Sequence, residues 1–269
     1  MTADTLVGVL GKCAYEAELE HAALNLSMPL SFARFSPNDT AALEHFAQSV
    51  SLVSVVSNVS LKVARQLKAK LPAFPSAAAI QAAHDRFIAK QVFKGLGILT
   101  VPFAGIESIA GVKAALAKIG APALLKPRAG NGQVRIESRD HIDGAYATLG
   151  GEPGILEGAV IVERELAVLG VRASDGEARF WRISENGQPA NVALELEKQA
   201  RGYALRVAEL VGQRGVFCLE LFSVAGALLA HQFTPWPVAA GHWTLEGART
   251  SQYENHLRAI AGLSLGACE

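Results

Sequence analysis

Cysteine is scarce in this 269-residue chain: Cys13, Cys218 and Cys268 are the three, an odd number with no C-x-x-C pair. That excludes a disulfide framework and a thiolate zinc site. Charge of one sign is lacking too, with 25 Lys+Arg against 25 Asp+Glu. A balanced chain offers no basic footprint for nucleic acid and no polybasic face for an anionic membrane. Long apolar runs are missing as well. The longest uncharged stretch, residues 221–245, contains His231, Gln232, Pro235, Pro237 and His242, which a bilayer-spanning helix carries only at high cost. The first residues, Met1-Thr2-Ala3-Asp4-Thr5, lack a basic region followed by an apolar core, so they do not read as a secretory signal. These absences predict a reduced, cytoplasmic protein with neither a nucleic acid nor a membrane as partner.

What is present is apolar surface: half the residues, 50%, are hydrophobic and 19% are charged, too apolar for a disordered chain. Residues 6–11 form a short apolar run ending in glycine, and 14–26 follow with helix-favouring Ala, Glu and Leu. Residues 51–57 are β-branched and 61–71 carry helical spacing. Strand-helix alternation of this kind predicts a parallel sheet with crossover helices. The Pro-punctuated stretch Pro72-Ala73-Phe74-Pro75-Ser76 reads as a joint, giving an N-terminal domain over 1–76 and a second over 77–269 with a smaller subdomain at about 120–185. Within the second domain the patterns predict helix over 77–97, 112–119 and 195–211, a strand pair over 159–172 with a hairpin turn at Ser174-Asp175-Gly176-Glu177, and strands over 215–222 and 227–233.

Three features carry candidate chemistry. Gly8-Val9-Leu10-Gly11 follows a strand as a dinucleotide turn would, but Lys12, Cys13, Ala14 and Tyr15 do not complete G-x-G-x-x-G. The lysines Lys90, on a helix, and Lys126, closing an apolar strand before the small-residue turn Ala129-Gly130-Asn131-Gly132, suit a polyphosphate, two point charges beside backbone donors. Glu220 interrupts Val216-Phe217-Cys218-Leu219-Glu220-Leu221-Phe222, where a carboxylate needs a cation or hydrogen-bond partner, unless it faces outward at period 2.

The string Gly241-His242-Trp243-Thr244-Leu245-Glu246-Gly247, with Ser251-Gln252-Tyr253-Glu254-Asn255-His256-Leu257-Arg258-Ala259-Ile260 and Gly262-Leu263-Ser264-Leu265-Gly266, resembles the 5-(carboxyamino)imidazole ribonucleotide synthases, ATP-grasp enzymes of purine biosynthesis. Asp85-Arg86-Phe87-Ile88-Ala89-Lys90-Gln91, Leu96-Gly97-Ile98-Leu99-Thr100-Val101-Pro102, Ile155-Leu156-Glu157 and Arg164-Glu165-Leu166-Ala167-Val168 extend the likeness over about residues 74–266. The resemblance implies an α/β ATP-grasp fold preceded by a Rossmann-like parallel-sheet domain. It implies a ligase that uses ATP and Mg2+ to activate bicarbonate as carboxyphosphate and pass the carboxylate to the exocyclic amine of 5-aminoimidazole ribonucleotide. By the same resemblance Lys90 and Lys126 hold phosphates, Glu157 lies at the adenine hinge, Glu165 binds ribose, Glu220 and Gln232 stand at the metal positions, and Arg172, His242 and Arg258 occupy catalytic ones. A homodimer is implied as well.

Departures from the family pattern all remove charge or phosphate-binding backbone. His231-Gln232 stands where the family has Asn-Glu, so the second metal position keeps an oxygen and loses its charge. Pro235-Trp236-Pro237-Val238-Ala239-Ala240-Gly241-His242 replaces Pro-Arg-x-His-Asn-Ser-Gly-His, and Trp236 is expected to fill space vacated by arginine or ligand. Only residues 127–131 separate Lys126 from Gly132-Gln133, a shortened phosphate-covering loop. Val56-Ser57-Asn58-Val59 lacks the family's carboxylates, and the sequence ends at Glu269, ahead of the family's small C-terminal domain. These changes predict weakened metal and phosphate binding and leave a second reading open: a binding or partner protein without turnover.

Overall fold

Gly8 lies inside the first strand with no room for a side chain, because a Cβ there would stand 2.7 Å from the Phe46 ring. Gly11, just past that strand, has φ +107°, a conformation glycine adopts without strain. The glycines of this corner therefore serve packing and a turn. Around them the computed structural model builds a parallel sheet; it describes every residue except Met1–Asp4, Cys13, Pro37, Asn38 and Asn58. The expectations placed on the first four residues, on Cys13 and on Asn58 lie outside the described residues.

The N-terminal elements run β1 (Val7–Leu10), α1 (Glu16–Asn25), β2 (Leu30–Phe32), α2 (Thr40–Ser49), β3 (Leu52–Val55), α3 (Leu61–Lys68) and β4 (Ala73–Phe74). The strands pair in parallel in the order β2-β1-β3-β4, as strand-helix alternation demands. Both faces are covered. Leu43, Phe46, Val63 and Leu67 pack on one side, and Leu19, Ala22 and Ala23 pack on the other with Tyr253, Leu257 and Ile260 from far along the chain. A sheet buried on both faces explains why β1 and β3 read as unbroken apolar runs.

Next come α4 (Ala77–His84), α5 (Arg86–Gly95), β5 (Phe103–Ile106), α6 (Ile109–Ile119), β6 (Ala123–Pro127), β7 (Val134–Ile136), α7 (Ile142–Ala147) and β8 (Gly154–Gly158). The single helix expected over 77–97 is two helices. Asp85 ends the first and caps the second, its carboxylate accepting from Phe87 N and Ile88 N, a competition with helical backbone at which Asp excels. Strands β5, β8, β6 and β7 form an antiparallel sheet in that order. Period-2 alternation sorts its side chains: Ala123, Leu125 and Leu156 pack under α6 and α7 with Val112, Leu116, Ile142 and Ala145, while Leu124, Lys126, Ile155 and Glu157 take the opposite face.

The rest comprises β9 (Arg164–Arg172), β10 (Ala178–Phe180), β11 (Ser184–Glu185), β12 (Gln188–Pro189), α8 (Leu194–Leu210), β13 (Gly215–Val224), β14 (Ala227–Thr234), α9 (Thr244–Gly247) and α10 (Gln252–Ala261). The strand pair expected over 159–172 is one long strand, since residues 159–163 are irregular; β9 finds its hairpin partner in β10, with Ala178 opposite Arg172. These strands join a six-stranded sheet, order β12-β11-β9-β13-β14 with β10 beside β9. The β13–β14 hairpin turns on Ala225 and Gly226, both at positive φ, 48° and 78°, the geometry that suits a two-residue connection. The chain divides into two units: Met1–Gln81 with Leu166–Leu219 and Phe233–Glu269, and Ala82–Glu165 with Glu220–Gln232. Among the described residues no helix is long and apolar enough to cross a membrane.

Candidate functional site

Within the second unit, two strand positions and one helix position converge. Lys126 on β6 stands opposite Ile155, and Leu124 stands opposite Glu157 on β8. Lys126 and Glu157 are thus diagonal neighbours on one face, within reach of long side chains. Lys126 Nζ donates to Glu157 Oε2 at 2.7 Å. From α5, Lys90 Nζ lies 3.5 Å from Glu157 Oε1 and donates to the carbonyls of Ala230, 3.1 Å, and His231, 3.3 Å. Lys90, Lys126 and Glu157 are 1%, 7% and 3% exposed, so the three charges depend on one another and not on water.

The electrostatics follow from that burial. Burial pushes the Lys90 ammonium below its ordinary range, with Glu157 opposing and Lys126 adding to the effect. Burial disfavours the Glu157 carboxylate, but Lys90 and Lys126 more than offset it, and the group is held below the usual carboxylate range. His231, stacked on Phe222 with ring centroids 4.2 Å apart, is pushed down to about 4 by burial and then by the two lysines. It is a neutral imidazole at pH 7.

The cluster is buttressed beneath. Arg128 forms a forked pair with Asp85, its Nε 3.1 Å from each carboxylate oxygen and one terminal nitrogen 2.6 Å from Oδ2, while Arg86 donates to the Pro127 carbonyl at 2.8 Å. Thr100 Oγ1 donates to Ala230 O at 2.8 Å. Asp85 therefore caps the helix that carries Lys90 and grips the residue two places after Lys126. Sequence reading missed this brace, because partners 43 positions apart leave no local signature.

Glu220 on β13 is half-buried, and its carboxyl is raised above the ordinary range by burial and then by the charge of Glu165 on β9. Two carboxylates in each other's field, one of them partly desolvated, suit a hard divalent cation with oxygen ligands. Gln232, the other expected metal position, is exposed on β14 and offers a neutral oxygen. Among the described residues no three His, Cys, Asp or Glu side chains form a metal-holding cluster, so a cation here needs oxygens from a bound substrate as well.

The remaining expected residues lie in the first unit. Arg172 donates to Gln213 O at 3.1 Å and keeps a buried Nε without a hydrogen-bond partner. Arg258 is held by Glu254, 2.8 Å. His242 Nδ1 is 3.2 Å from the hydroxyl of the buried Tyr253 and 4.0 Å from Glu18, and Tyr15 completes an aromatic group with ring centroids 6.1 Å from His242 and 5.6 Å from Tyr253. Next to it is a cavity of about 250 Å3 lined by Lys12, Tyr15, Leu19, Val56, Trp236 and Pro237 among others. Trp236 is half-buried on this cavity wall.

Residues 91–253 match the ATP-grasp domain. The chain is 36% identical to the N5-carboxyaminoimidazole ribonucleotide synthase of Pseudomonas aeruginosa, over 97% of this chain and 80% of that protein. The chain belongs to this ATP-grasp family. It is also 33% identical to the N5-carboxyaminoimidazole ribonucleotide synthase of Brucella melitensis, over 85% of this chain and 68% of the relative. The crystal structure of the N5-carboxyaminoimidazole ribonucleotide synthetase from Thermus thermophilus superposes with a TM-score of 0.92 at 36% identity, covering 97% of this chain and 80% of that one. Membership of the N5-carboxyaminoimidazole ribonucleotide synthase family and the mixed α/β architecture both agree with what the C-terminal motifs implied.

Proposed function

We propose that the protein is an ATP-dependent carboxylase acting on 5-aminoimidazole ribonucleotide, with bicarbonate as the carbon source. The observation behind this reading is the convergence of Lys90 and Lys126 on one buried face, in a chain of the family. Two ammonium groups share a single carboxylate, Glu157, in a poorly solvated place, which leaves the cluster net positive, and a polyphosphate supplies further negative charge. Lys126, at the end of β6 and beside the glycine-bearing turn, neutralises charge on the phosphates, and Lys90 fixes the field from below. Bicarbonate oxygen attacks the terminal phosphorus as ADP leaves. The exocyclic amine then attacks the carboxyl carbon, losing a proton as phosphate departs. Preorganised charge of this kind accelerates phosphoryl transfer without reorganising water.

Glu165 on β9 suits a ribose hydroxyl, and the Glu157 strand passes the adenine. Glu220, with Gln232, would hold Mg2+, which would supply neutralising charge to the phosphates. Arg172, His242 and Arg258 serve the acceptor side, His242 with its ring oriented by the Tyr253 hydroxyl. The protein acts in the cytoplasm, as a homodimer. The alternative of a relative that binds nucleotide without turnover rests on the sequence departures, chiefly the uncharged Gln232.

The test is ADP release with ATP, Mg2+, bicarbonate and 5-aminoimidazole ribonucleotide. Acceptor-stimulated release that falls at least about 100-fold in Lys126→Ala is expected, the scale of loss when a preorganised charge leaves a transition state. Stimulation absent from a folded wild-type protein that still binds ATP would favour the alternative. Gln232→Glu is expected to tighten Mg2+-dependent ATP binding about tenfold or more; an unchanged affinity removes Gln232 from the metal position.

A further inference from the structure

The lysines of the proposed phosphate site are already occupied by an anion that belongs to the protein. Glu157 gives one oxygen to each, Oε2 to Lys126 at 2.7 Å and Oε1 to Lys90 at 3.5 Å. An ammonium has three hydrogens to donate, and Lys90 has three acceptors around it, the carboxylate and the carbonyls of Ala230 and His231. Lys90 is therefore saturated and anchored to backbone. Lys126 differs: it reaches Glu157 diagonally across two strands and is the penultimate residue of β6, before the turn where Gly130 and Gly132 sit at φ 79° and 107°. Its side chain can rotate off the carboxylate toward the turn without disturbing a backbone contact. From this geometry we infer that the Glu157 carboxylate is a resident counter-anion, displaced from Lys126 when a polyphosphate binds, so that nucleotide affinity reflects the exchange of one anion for another.

The inference rests on the reading that these lysines hold phosphate, and it assigns Glu157 a positioning role in addition to its place beside adenine. In the empty protein the carboxylate keeps two buried ammonium groups from facing each other uncompensated, a situation that is costly. When phosphate arrives, Lys126 moves to it while Lys90 keeps Glu157, and the carboxylate becomes a competitor the ligand has to overcome. Ligands with more phosphates gain from its neutralisation, and a ligand with none gains nothing.

Glu157→Gln keeps the shape and one acceptor oxygen while removing the charge. Calorimetric titration of wild type and variant with ATP, adenosine and inorganic tripolyphosphate, at two salt concentrations, tests the idea. ATP and tripolyphosphate are expected to bind about tenfold tighter to E157Q, a difference of about 1.4 kcal/mol, with a steeper salt dependence, while adenosine, which meets this residue only through its base, does not share the gain. Equal or weaker tripolyphosphate binding in E157Q, or parallel losses for all three ligands, overturns the inference and leaves Glu157 a scaffold residue. Tripolyphosphate tightening without ATP binding to either protein would uphold the exchange and overturn the nucleotide reading. Should E157Q fail to fold, Glu157→Asp, which withdraws the carboxylate by one methylene, carries the same comparison: a smaller gain for tripolyphosphate supports the exchange, and none refutes it.

Discussion

His256 is fully buried on α10, with Nε2 2.8 Å from Ser54 Oγ and Nδ1 accepting from the Val216 amide at 3.2 Å. An amide hydrogen directed at Nδ1 requires that nitrogen to be unprotonated, so Nε2 carries the hydrogen and donates to the serine. Burial pushes the imidazole down to about 4. A folded-state value below the unfolded one means that the unfolded chain binds the extra proton first. The stabilisation is complete above about pH 6.5 and fades as the pH falls toward 4, by up to about 3 kcal/mol. Urea midpoints measured from pH 7 to pH 4 should fall more steeply in wild type than in His256→Gln; parallel slopes would show that the imidazole does not drive the acid sensitivity. Nothing in the local sequence marked this histidine for such a role, because its two partners come from strands 202 and 40 positions away.

At the level of elements, α5 connects local sequence to the candidate site. It starts where Asp85 caps it and carries Lys90 a turn later, and the same carboxylate binds Arg128 just beyond β6. Asp85→Asn should keep the cap and weaken the fork, whereas Asp85→Ala loses both. The expected costs are about 1 kcal/mol for the first and about 2–3 kcal/mol for the second, read from denaturation midpoints, with ATP affinity following the same order. Equal stabilities for the two variants would show the fork contributes nothing. Much of this level was legible beforehand: the β13–β14 hairpin, α8 and the strands β1 and β3 follow from periodicity, since one face or both are buried in an uninterrupted pattern. The break at Asp85 was not, because the apolar spacing runs through it and a side-chain cap decides the matter. The irregular stretch 159–163 and the helix α10 likewise depend on what they pack against.

For the whole molecule, formal neutrality and a sequence pI near 7.1 leave little net charge to keep copies apart. Solubility should therefore pass through a minimum near pH 7 and rise on either side; light scattering at matched concentration from about pH 5.5 to about pH 8.5 checks it, and a flat profile would show that local patches outweigh net charge. At this scale the sequence announced the family through its C-terminal string and the parallel sheet through its alternation. It could not announce which charges meet: Lys90 and Lys126 were visible as a pair, but the carboxylate between them was assigned to adenine alone.

The carbonyl partners of Lys90 lie 140 and 141 residues downstream. On a ribosome that adds roughly 5–20 residues per second, the lysine emerges on the order of ten to thirty seconds before the strand that receives it. For about the second half of that interval α5 and the strands β5 to β8 are present in the nascent chain without β14. The cluster of Lys90, Lys126 and Glu157 is thus among the last parts of its unit to be assembled, and a chaperone guarding the growing polypeptide meets a lysine still in water.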